Sequence, residues 1–346
     1  RTLILCFDGT SNQFKSDKNS NVVLLFQMLK RDNPEHQLVY YQTGIGTYAP
    51  TSFISKIGSR VAQVLDEAFA WYLEDHVLGG YKFLMDTYRA GDKICLFGFS
   101  RGAYTARALA AMLYRVGLLP LCNFEQVPFA YKIFKESKKE NKIMKKDPED
   151  PRGYLSKNFR STFSREVTVE FVGIWDTVSS VGLIPRSLPN TNKNPIVKHV
   201  RHAISLDERR AKFKAAYWSA PKEDSDNSTV VIEEGKKDQK GIEERERTVE
   251  EVWFAGGHGD VGGGWEGYKV QAQLSHIPLR WIVREAILCS SVLWDDTVLK
   301  RFKVKRPDNK KEMAEYIKQE REDALAKFHS AFAYSLFWWL LEFFPL

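Results

Sequence analysis

The sequence has little cysteine, with four residues in 346, and no two of them have the spacing of paired metal ligands. Four cysteines do not make a disulfide framework in a chain of this length, which favours a reducing compartment. Two of them, Cys6 and Cys95, lie inside apolar runs. We therefore expect small buried hydrophobic side chains there, and neither a zinc module nor a disulfide-stapled scaffold.

Long hydrophobic runs are also missing. The apolar stretch 335–341 is too short and too close to Glu342 for a membrane span. It fits either a helix packed on the domain or an interfacial anchor. The chain opens at Arg1 directly into a strand-like run, without methionine or a signal sequence, as a trimmed or processed piece would. These features favour a cytoplasmic location, with membrane association as the alternative.

The positive charge lacks the pattern of a nucleic-acid reader. The formal net charge is +7 and the isoelectric point is near 9.0, a balance that can attract phosphate-rich partners. Much of the excess lies in 132–146, a lysine-rich run broken by glutamates, without the aromatic interleaving that a nucleic-acid module would show. We predict a solvated surface segment there and no nucleic-acid partner.

What the sequence does contain is the alternation of an α/β protein. Strand-like apolar runs recur along the chain, at 2–7, 38–42, 93–97, 167–175 and 252–255. Helical patterns separate them; one covers 53–88 with a break at Gly79 and Gly80, and another covers the basic segment 195–218. This order predicts a mostly parallel central sheet flanked by helices, in one domain over 1–346.

Two segments interrupt this alternation. The first, 121–159, precedes the strand-like run that ends at Asp176, and we predict either a lid over the active site or a surface elaboration. The second, 221–248, is rich in charged residues and serine and has almost no apolar residues. It is predicted to be a mobile, solvent-exposed insertion.

A nucleophile motif follows the third strand-like run. Gly98-Phe99-Ser100-Arg101-Gly102 matches G-x-S-x-G, with a buried strand predicted before it and a helix after it. In such an elbow the serine occupies a strained turn, and glycines two positions away on each side give the turn room. The motif alone arises by chance, but this context favours Ser100 as the nucleophile. The amino terminus of the following helix and the Arg101 N–H would face the oxyanion that forms when Ser100 attacks a carbonyl group.

A serine hydroxyl needs a base and an acid that orients the base. Asp176 ends the strand-like run after the elbow, and His258 follows the last run in a glycine-rich loop, in the serine, acid, histidine order of this fold. We predict Asp176 as the acid and His258 as the base. The other histidines do not end strands: His36, His76 and His329 are predicted on surfaces, His199 and His202 on the basic helix, and His276 near the start of a late helix.

Two further aspartates compete for the acid role. Asp8 ends the first strand, where this fold places its oxyanion loop, so backbone N–H groups of Gly9 and Thr10 are predicted as the second oxyanion contact. Asp260 is two residues from His258, too near to reach the far ring nitrogen easily. We predict that Asp260 fixes the loop or supports the catalytic residues from behind them.

Two other patterns indicate functions that the residues do not support. Asp8-Gly9-Thr10 is reminiscent of a phosphatase motif, but Cys6 stands where the nucleophilic aspartate would be. The glycines of 256–264 look like a phosphate cradle, yet no Gly-Lys-Ser/Thr follows and the dinucleotide spacing is absent. We therefore expect no nucleotide, metal or other cofactor.

Four blocks of the sequence together resemble one known family: 7–12 (FDGTSN), 98–104 (GFSRGAY), 173–178 (GIWDTV) and 257–264 (GHGDVGGG). The resemblance, which extends to 202–210, is to the uncharacterised α/β-hydrolase domain of many fungal proteins and of bacterial type VI secretion lipase effectors. It implies a triad of Ser100, Asp176 and His258 and, in the bacterial relatives, esterase activity on phospholipid acyl chains. The sequence departs from the family at Gly259, where a serine is more usual.

The leading hypothesis is a serine hydrolase of carboxylic esters, with a lipid or phospholipid substrate and peripheral membrane contact. A non-catalytic member of the fold that binds a ligand or partner is the alternative. A thioesterase or peptidase with the same triad also remains open, because pocket shape selects the acyl group. The oligomeric state is left open.

Overall fold

A six-stranded parallel sheet forms the centre of the molecule. The computed structural model describes residues 1–9, 14–44, 59–178, 188–218, 247–267, 269–305, 307, 309–330 and 332. The strands are β1 (Thr2–Phe7), β2 (Gln37–Gln42), β3 (Lys93–Phe99), β4 (Val169–Trp175), β5 (Val197–Ser205) and β6 (Thr248–Phe254). They lie in the order β2-β1-β3-β4-β5-β6, and every neighbouring pair is parallel. The predicted α/β class with a parallel central sheet is confirmed.

Helices cover both faces of this sheet. They are α1 (Asn21–Met28), α2 (Ser59–Thr87), α3 (Arg101–Val116), α4 (Val127–Glu136), α5 (Glu140–Lys146), α6 (Leu155–Phe163), α7 (His258–Gly262), α8 (His276–Cys289), α9 (Asp296–Arg301) and α10 (Lys310–Ala324). Along β1, Leu3, Leu5 and Phe7 pack in one hydrophobic cluster with α2 and α3, and Ile4 and Cys6 in another with α1 and α8. Burial on both faces is why β1 is a continuous apolar run.

The strand order places a crevice at the carboxyl ends of β1 and β3. From β1 the chain goes to β2 on one side of the sheet, and it then returns to β3 on the other side. At such a reversal the connections leave in opposite directions, and ligands of open α/β sheets bind there. The turn after Phe7, at the end of β1, and the turn after Phe99, at the end of β3, both lie at this reversal.

The prediction of a helix at 195–218 is wrong. Residues 197–205 form β5, and His199 and His202 lie on that strand. The prediction was a helix with basic residues throughout, but β6 supplies carboxylates opposite those residues. Arg201 Nη2 lies 3.2 Å from Glu250 Oε1 and its Nε 2.6 Å from Glu285 Oε2, so a charged residue is buried with partners.

The predicted helical break at Gly79 and Gly80 is also wrong, since α2 continues from Ser59 to Thr87. A Cβ at Gly80 would lie 2.9 Å from the Phe7 ring and 2.9 Å from a Leu109 methyl carbon. Here glycine allows α2 to approach β1 and α3 closely.

The inserted segment 121–159 contributes to the helical layer outside α3. Its helices α4 and α6 contact α3, and Phe134 and Phe159 are buried in the cluster that α3 shares with α2. Whether it acts as a lid stays a prediction. The predictions for Thr10, for 221–246 and for the stretch 335–341 concern residues outside the described ones.

The described residues bear on the predictions about buried cysteines and membrane spans. Cys6 and Cys95 are fully buried in strands, as predicted. Within the described ranges, no helix combines the length and the apolar character that crossing a bilayer needs.

Candidate active site

Ser100 occupies a strained turn between β3 and α3. Its φ is 58°, in the left-handed region that residues with a side chain rarely adopt. A Cβ at Gly98 would lie 2.6 Å from the Gly102 carbonyl oxygen, and one at Gly102 would lie 2.3 Å from the Phe7 carbonyl oxygen. The strained conformation and the need for glycine on both sides, predicted from the motif, are confirmed.

His258 lies between Ser100 and Asp176, with one ring nitrogen toward each. Its Nε2 is 2.8 Å from Ser100 Oγ, and its Nδ1 is 2.6 Å from Asp176 Oδ2. A carboxylate can only accept, so Nδ1 carries the hydrogen and Nε2 of the neutral ring accepts from the serine hydroxyl. The structure thus brings the three predicted residues into one hydrogen-bonded row.

The Asp176 carboxylate is held in place by β5. Its Oδ1 accepts the Ser205 N–H at 2.9 Å and its Oδ2 the Ser205 hydroxyl at 2.9 Å, and the residue is 1% exposed. The φ of Asp176 is 39°, so the chain turns sharply at the end of β4. Sequence reasoning missed Ser205, because its contact depends on how β4 and β5 pair.

Aromatic rings enclose the imidazole of His258. The Phe99 ring centroid lies 4.7 Å from that of His258, and the Phe213 centroid lies 5.0 Å from it. Together they leave the histidine 9% exposed. Low exposure strengthens the hydrogen bonds to Ser100 and Asp176, because water competes less for them.

Two acidic residues after β5 hold the loop before His258. Glu208 Oε2 accepts the His258 N–H at 3.2 Å, and Asp207 Oδ2 accepts the Gly256 N–H at 2.8 Å. Burial by itself would raise the pKa of Glu208, but hydrogen bonds from Arg210 and from the His258 N–H lower it. An ionised carboxylate therefore accepts the backbone N–H of the predicted base. These contacts were not predicted.

The predicted oxyanion donors differ in what surrounds them. The Arg101 N–H opens α3 directly after Ser100, and burial lowers the pKa of the Arg101 guanidinium to about 10. The Gly9 N–H donates to Asp8 Oδ1 at 2.7 Å, and Asp8 also accepts the Ser20 and Tyr41 hydroxyls. A donor role for Gly9 would require it to share or exchange that bond, so both oxyanion assignments stay predictions.

The prediction that Asp260 fixes the loop is confirmed. Its Oδ2 accepts the Gly257 N–H at 3.1 Å and the His329 N–H at 3.0 Å, and its Oδ1 lies 2.7 Å from His329 Nδ1. The surface position predicted for His329 is wrong, since this residue is 6% exposed. Its partners come from 60 to 70 positions earlier in the chain, which no local pattern indicates.

Trp265 accounts for the glycine at 259. A Cβ added to Gly259 would lie 2.0 Å from Trp265 Nε1, far inside any van der Waals contact. The indole therefore occupies the space that the serine more usual at this family position would need. A larger side chain at position 259 would therefore require the Trp265 indole to move.

A cavity bounded by described residues lies away from this row of side chains. It has a volume of about 730 Å³ and is lined by side chains of α1, α8, α9 and α10, including Gln27, Arg280 and Gln319. Size alone would favour it as a binding site. Ser100, Asp176 and His258 are absent from its described lining, and their chemistry decides in favour of the sheet edge.

Three comparisons relate the chain to known proteins. The family model described as the catalytic domain of Tle1-like type VI secretion phospholipase effectors matches residues 1–285. An uncharacterized protein of Saccharomyces cerevisiae, YEL023C, is 39% identical over 223 residues, which cover 62% of this chain and 32% of the yeast protein. The chain thus spans about a third of that curated relative.

Two solved structures are similar at low identity. An uncharacterized protein from Pseudomonas aeruginosa is 19% identical, with a TM-score of 0.44, over 94% of this chain and 51% of its own. The Tle1 effector bound to the VgrG spike is 19% identical, with a TM-score of 0.38, over 77% of this chain and 51% of its own. The family model covers most of the chain, and the chain belongs to the Tle1-like phospholipase effector catalytic domain family.

Proposed function

We propose that this protein is a serine hydrolase that cleaves carboxylic esters through an acyl-enzyme on Ser100. The observation that carries the proposal is the row of hydrogen bonds from Ser100 Oγ to His258 Nε2 and from His258 Nδ1 to Asp176. A serine with no chemical role needs neither a strained turn nor a buried histidine and carboxylate aligned behind it.

The reaction would proceed in two half-reactions. His258 Nε2 takes the Ser100 hydroxyl proton while Oγ attacks the ester carbonyl carbon, and the imidazolium then gives that proton to the departing alcohol oxygen. The acyl group is now esterified to Ser100. A water molecule loses its proton to His258 and attacks the acyl carbon, which releases the carboxylic acid and returns the proton to Ser100.

Asp176 and the start of α3 would stabilise the charges that develop. The buried carboxylate holds the Nδ1 hydrogen and stabilises the imidazolium during each half-reaction. The Arg101 N–H and the amino terminus of the 16-residue helix α3 face the oxyanion, with Gly9 and Thr10 as further candidate donors. One such donor contributes on the order of 3 kcal/mol in other serine hydrolases.

Phospholipid acyl esters are the substrate class that we propose. Support comes from the family, whose description names phospholipase effectors. A substrate held in a lipid layer implies peripheral contact with a membrane. A cytoplasmic location with membrane association remains part of this proposal.

The test measures fatty acid release from phosphatidylcholine and phosphatidylglycerol vesicles, together with hydrolysis of a short p-nitrophenyl ester. Ser100→Ala is expected to lower kcat at least about a thousandfold on both substrates. Ser161→Ala, at an exposed serine of α6, is the matched control and should retain wild-type rates.

The outcomes separate activity from substrate class. Equal rates for wild type and Ser100→Ala would refute the serine mechanism. Turnover of the soluble ester without any fatty acid release would refute the phospholipid assignment alone. Saturable vesicle binding without turnover of either substrate would favour a non-catalytic ligand-binding role.

A further inference from the structure

A second histidine, His329, lies behind the His258 loop with carboxylates on both sides. Its Nδ1 is 2.7 Å from Asp260 Oδ1, and its Nε2 is 2.7 Å from Glu266 Oε1. The Trp265 ring lies parallel to the imidazole, with centroids 5.3 Å apart and an interplanar angle of 7°. We call His329, Asp260, Glu266 and Trp265 the His329 cluster. Three directional contacts fix one buried ring.

The His329 cluster touches the backbone on both sides of His258. Asp260 Oδ2 accepts the N–H of Gly257, the residue before His258. A Cβ on Gly257 would lie 3.3 Å from the His329 carbonyl oxygen, and one on Gly259 would meet the Trp265 indole. The two neighbours of the base are thus packed directly against the cluster.

His329 comes from a part of the chain beyond the region that the family model matches. That region ends at residue 285, whereas His329 follows α10, which ends at Ala324. The segment returns to the catalytic edge, and the His329 N–H also donates to Asp260 Oδ2 at 3.0 Å. The chain therefore adds its own support to a loop that lies within the family domain.

We propose that His329 is a positioning residue for the reaction, acting through Asp260 to hold the His258 imidazole in line with Ser100. This inference rests on the proposed function. His258 belongs to a five-residue helix with glycine on both sides, so its own backbone restrains it weakly. A displacement of about 1 Å at a catalytic group can reduce a rate up to about a hundredfold.

The first experiment compares His329→Ala with His329→Asn on the soluble ester. The alanine removes the side-chain donor to Asp260 Oδ1 and keeps the backbone N–H that donates to Oδ2. We expect kcat to fall about tenfold while KM stays within about twofold. The asparagine amide can reach the position of Nδ1 and donate to Asp260, so it should recover most of the wild-type kcat. Titration of the active serine with a fluorophosphonate normalises each rate to folded enzyme.

His276→Asn is the matched control. His276 also lies near a buried aspartate of α10, with Nδ1 3.6 Å from Asp323 Oδ1, but it begins α8 and is absent from the described contacts of Gly257 and Gly259. This variant is expected to keep the wild-type kcat per titrated site. A similar loss of kcat in it would mean that the effect arises from general disturbance near α10.

A double-mutant cycle then tests the path through Asp260. If His329 acts through that carboxylate, adding His329→Ala to Asp260→Ala should lower kcat by less than about threefold beyond Asp260→Ala. Multiplicative losses would overturn the path, and an unchanged kcat in His329→Ala would overturn the inference. Both results require that wild type is active and Ser100→Ala is not, so failure of the proposed function is recognised separately.

Discussion

At the scale of the residue, Asp176 is the point at which three hydrogen bonds meet on one buried carboxylate. Two come from Ser205 and one from the predicted base, His258. Both carboxylate oxygens accept, so the group orients the imidazole and also fixes which nitrogen carries the hydrogen. Replacing the carboxylate with an amide of the same shape keeps a group that can orient the imidazole, but the amide no longer fixes which ring nitrogen carries the hydrogen.

We therefore expect Asp176→Asn to lower kcat by about ten-thousandfold, because an amide allows the wrong histidine tautomer. The free energy of unfolding should change little, because asparagine has nearly the same volume as aspartate and its amide oxygen still accepts a hydrogen bond from Ser205. Steady-state kinetics on the soluble ester, paired with urea denaturation, checks both. A variant that retains more than a tenth of wild-type kcat would contradict the orienting role.

Gly102 lies where the Ser100 turn meets the end of β1. An alanine there would place its Cβ 2.3 Å from the Phe7 carbonyl oxygen and 2.4 Å from that of Asp8, both of them backbone atoms. We expect Gly102→Ala to lower the free energy of unfolding by about 2 to 3 kcal/mol, measured by urea denaturation. Gly267→Ala, where the nearest atom is 3.3 Å away, is the milder control. Equal stability of the two variants would be evidence against the close approach.

Whether a site residue can be predicted from the sequence depends on where its contacts lie along the chain. Ser100, Asp176 and His258 could be named as candidates because each lies close after the end of a strand-like run, and parallel strands end at one edge. Ser205 and Glu208 could not, because their partners depend on strand pairing.

At the scale of the element, β5 shows how charge can mislead a prediction. In the β5–β6 register Arg201 lies opposite Glu250 and His202 opposite Glu251, so the basic residues of one strand face acidic residues of the next. His202 Nδ1 lies 2.8 Å from Glu251 Oε1, while its Nε2 accepts the Thr177 N–H at 3.1 Å. A single segment read alone carries no sign of this pairing.

His202 makes the stability of this region depend on pH. Burial lowers its pKa below the ordinary value of 6.5, so the unfolded chain takes up a proton at a higher pH than the folded protein does. The stability that neutral His202 contributes is present above pH 6.5, and it is lost as the pH falls toward the lowered pKa. Between pH 7.5 and 5.5 the wild type should lose about 1 kcal/mol more stability than His202→Gln.

Urea denaturation of both proteins at the two pH values measures this difference. Glutamine keeps an acceptor for the Thr177 N–H and has no group that titrates in this range. His36→Gln, at an exposed histidine, should show the same pH dependence as wild type. Parallel pH profiles for wild type and His202→Gln would exclude the buried neutral histidine.

At the scale of the whole molecule, the order of strand-like runs was sufficient to predict the parallel sheet, because alternating strands and helices have few other arrangements. The helix predicted in place of β5 did not change that class. The support of the His258 loop by His329 could not be predicted, since it joins residues about 70 positions apart. The family covers 1–285, and the remaining described chain adds α9, α10 and His329.

The central claim is that Ser100 is an activated nucleophile, and covalent labelling tests it most directly. Wild type and His258→Ala are treated with a fluorophosphonate, digested, and mapped by mass spectrometry. The account predicts one major adduct, on Ser100, formed at least about a hundredfold more slowly in His258→Ala. An adduct on a different serine, or ester turnover with Ser100 unlabelled, would contradict it.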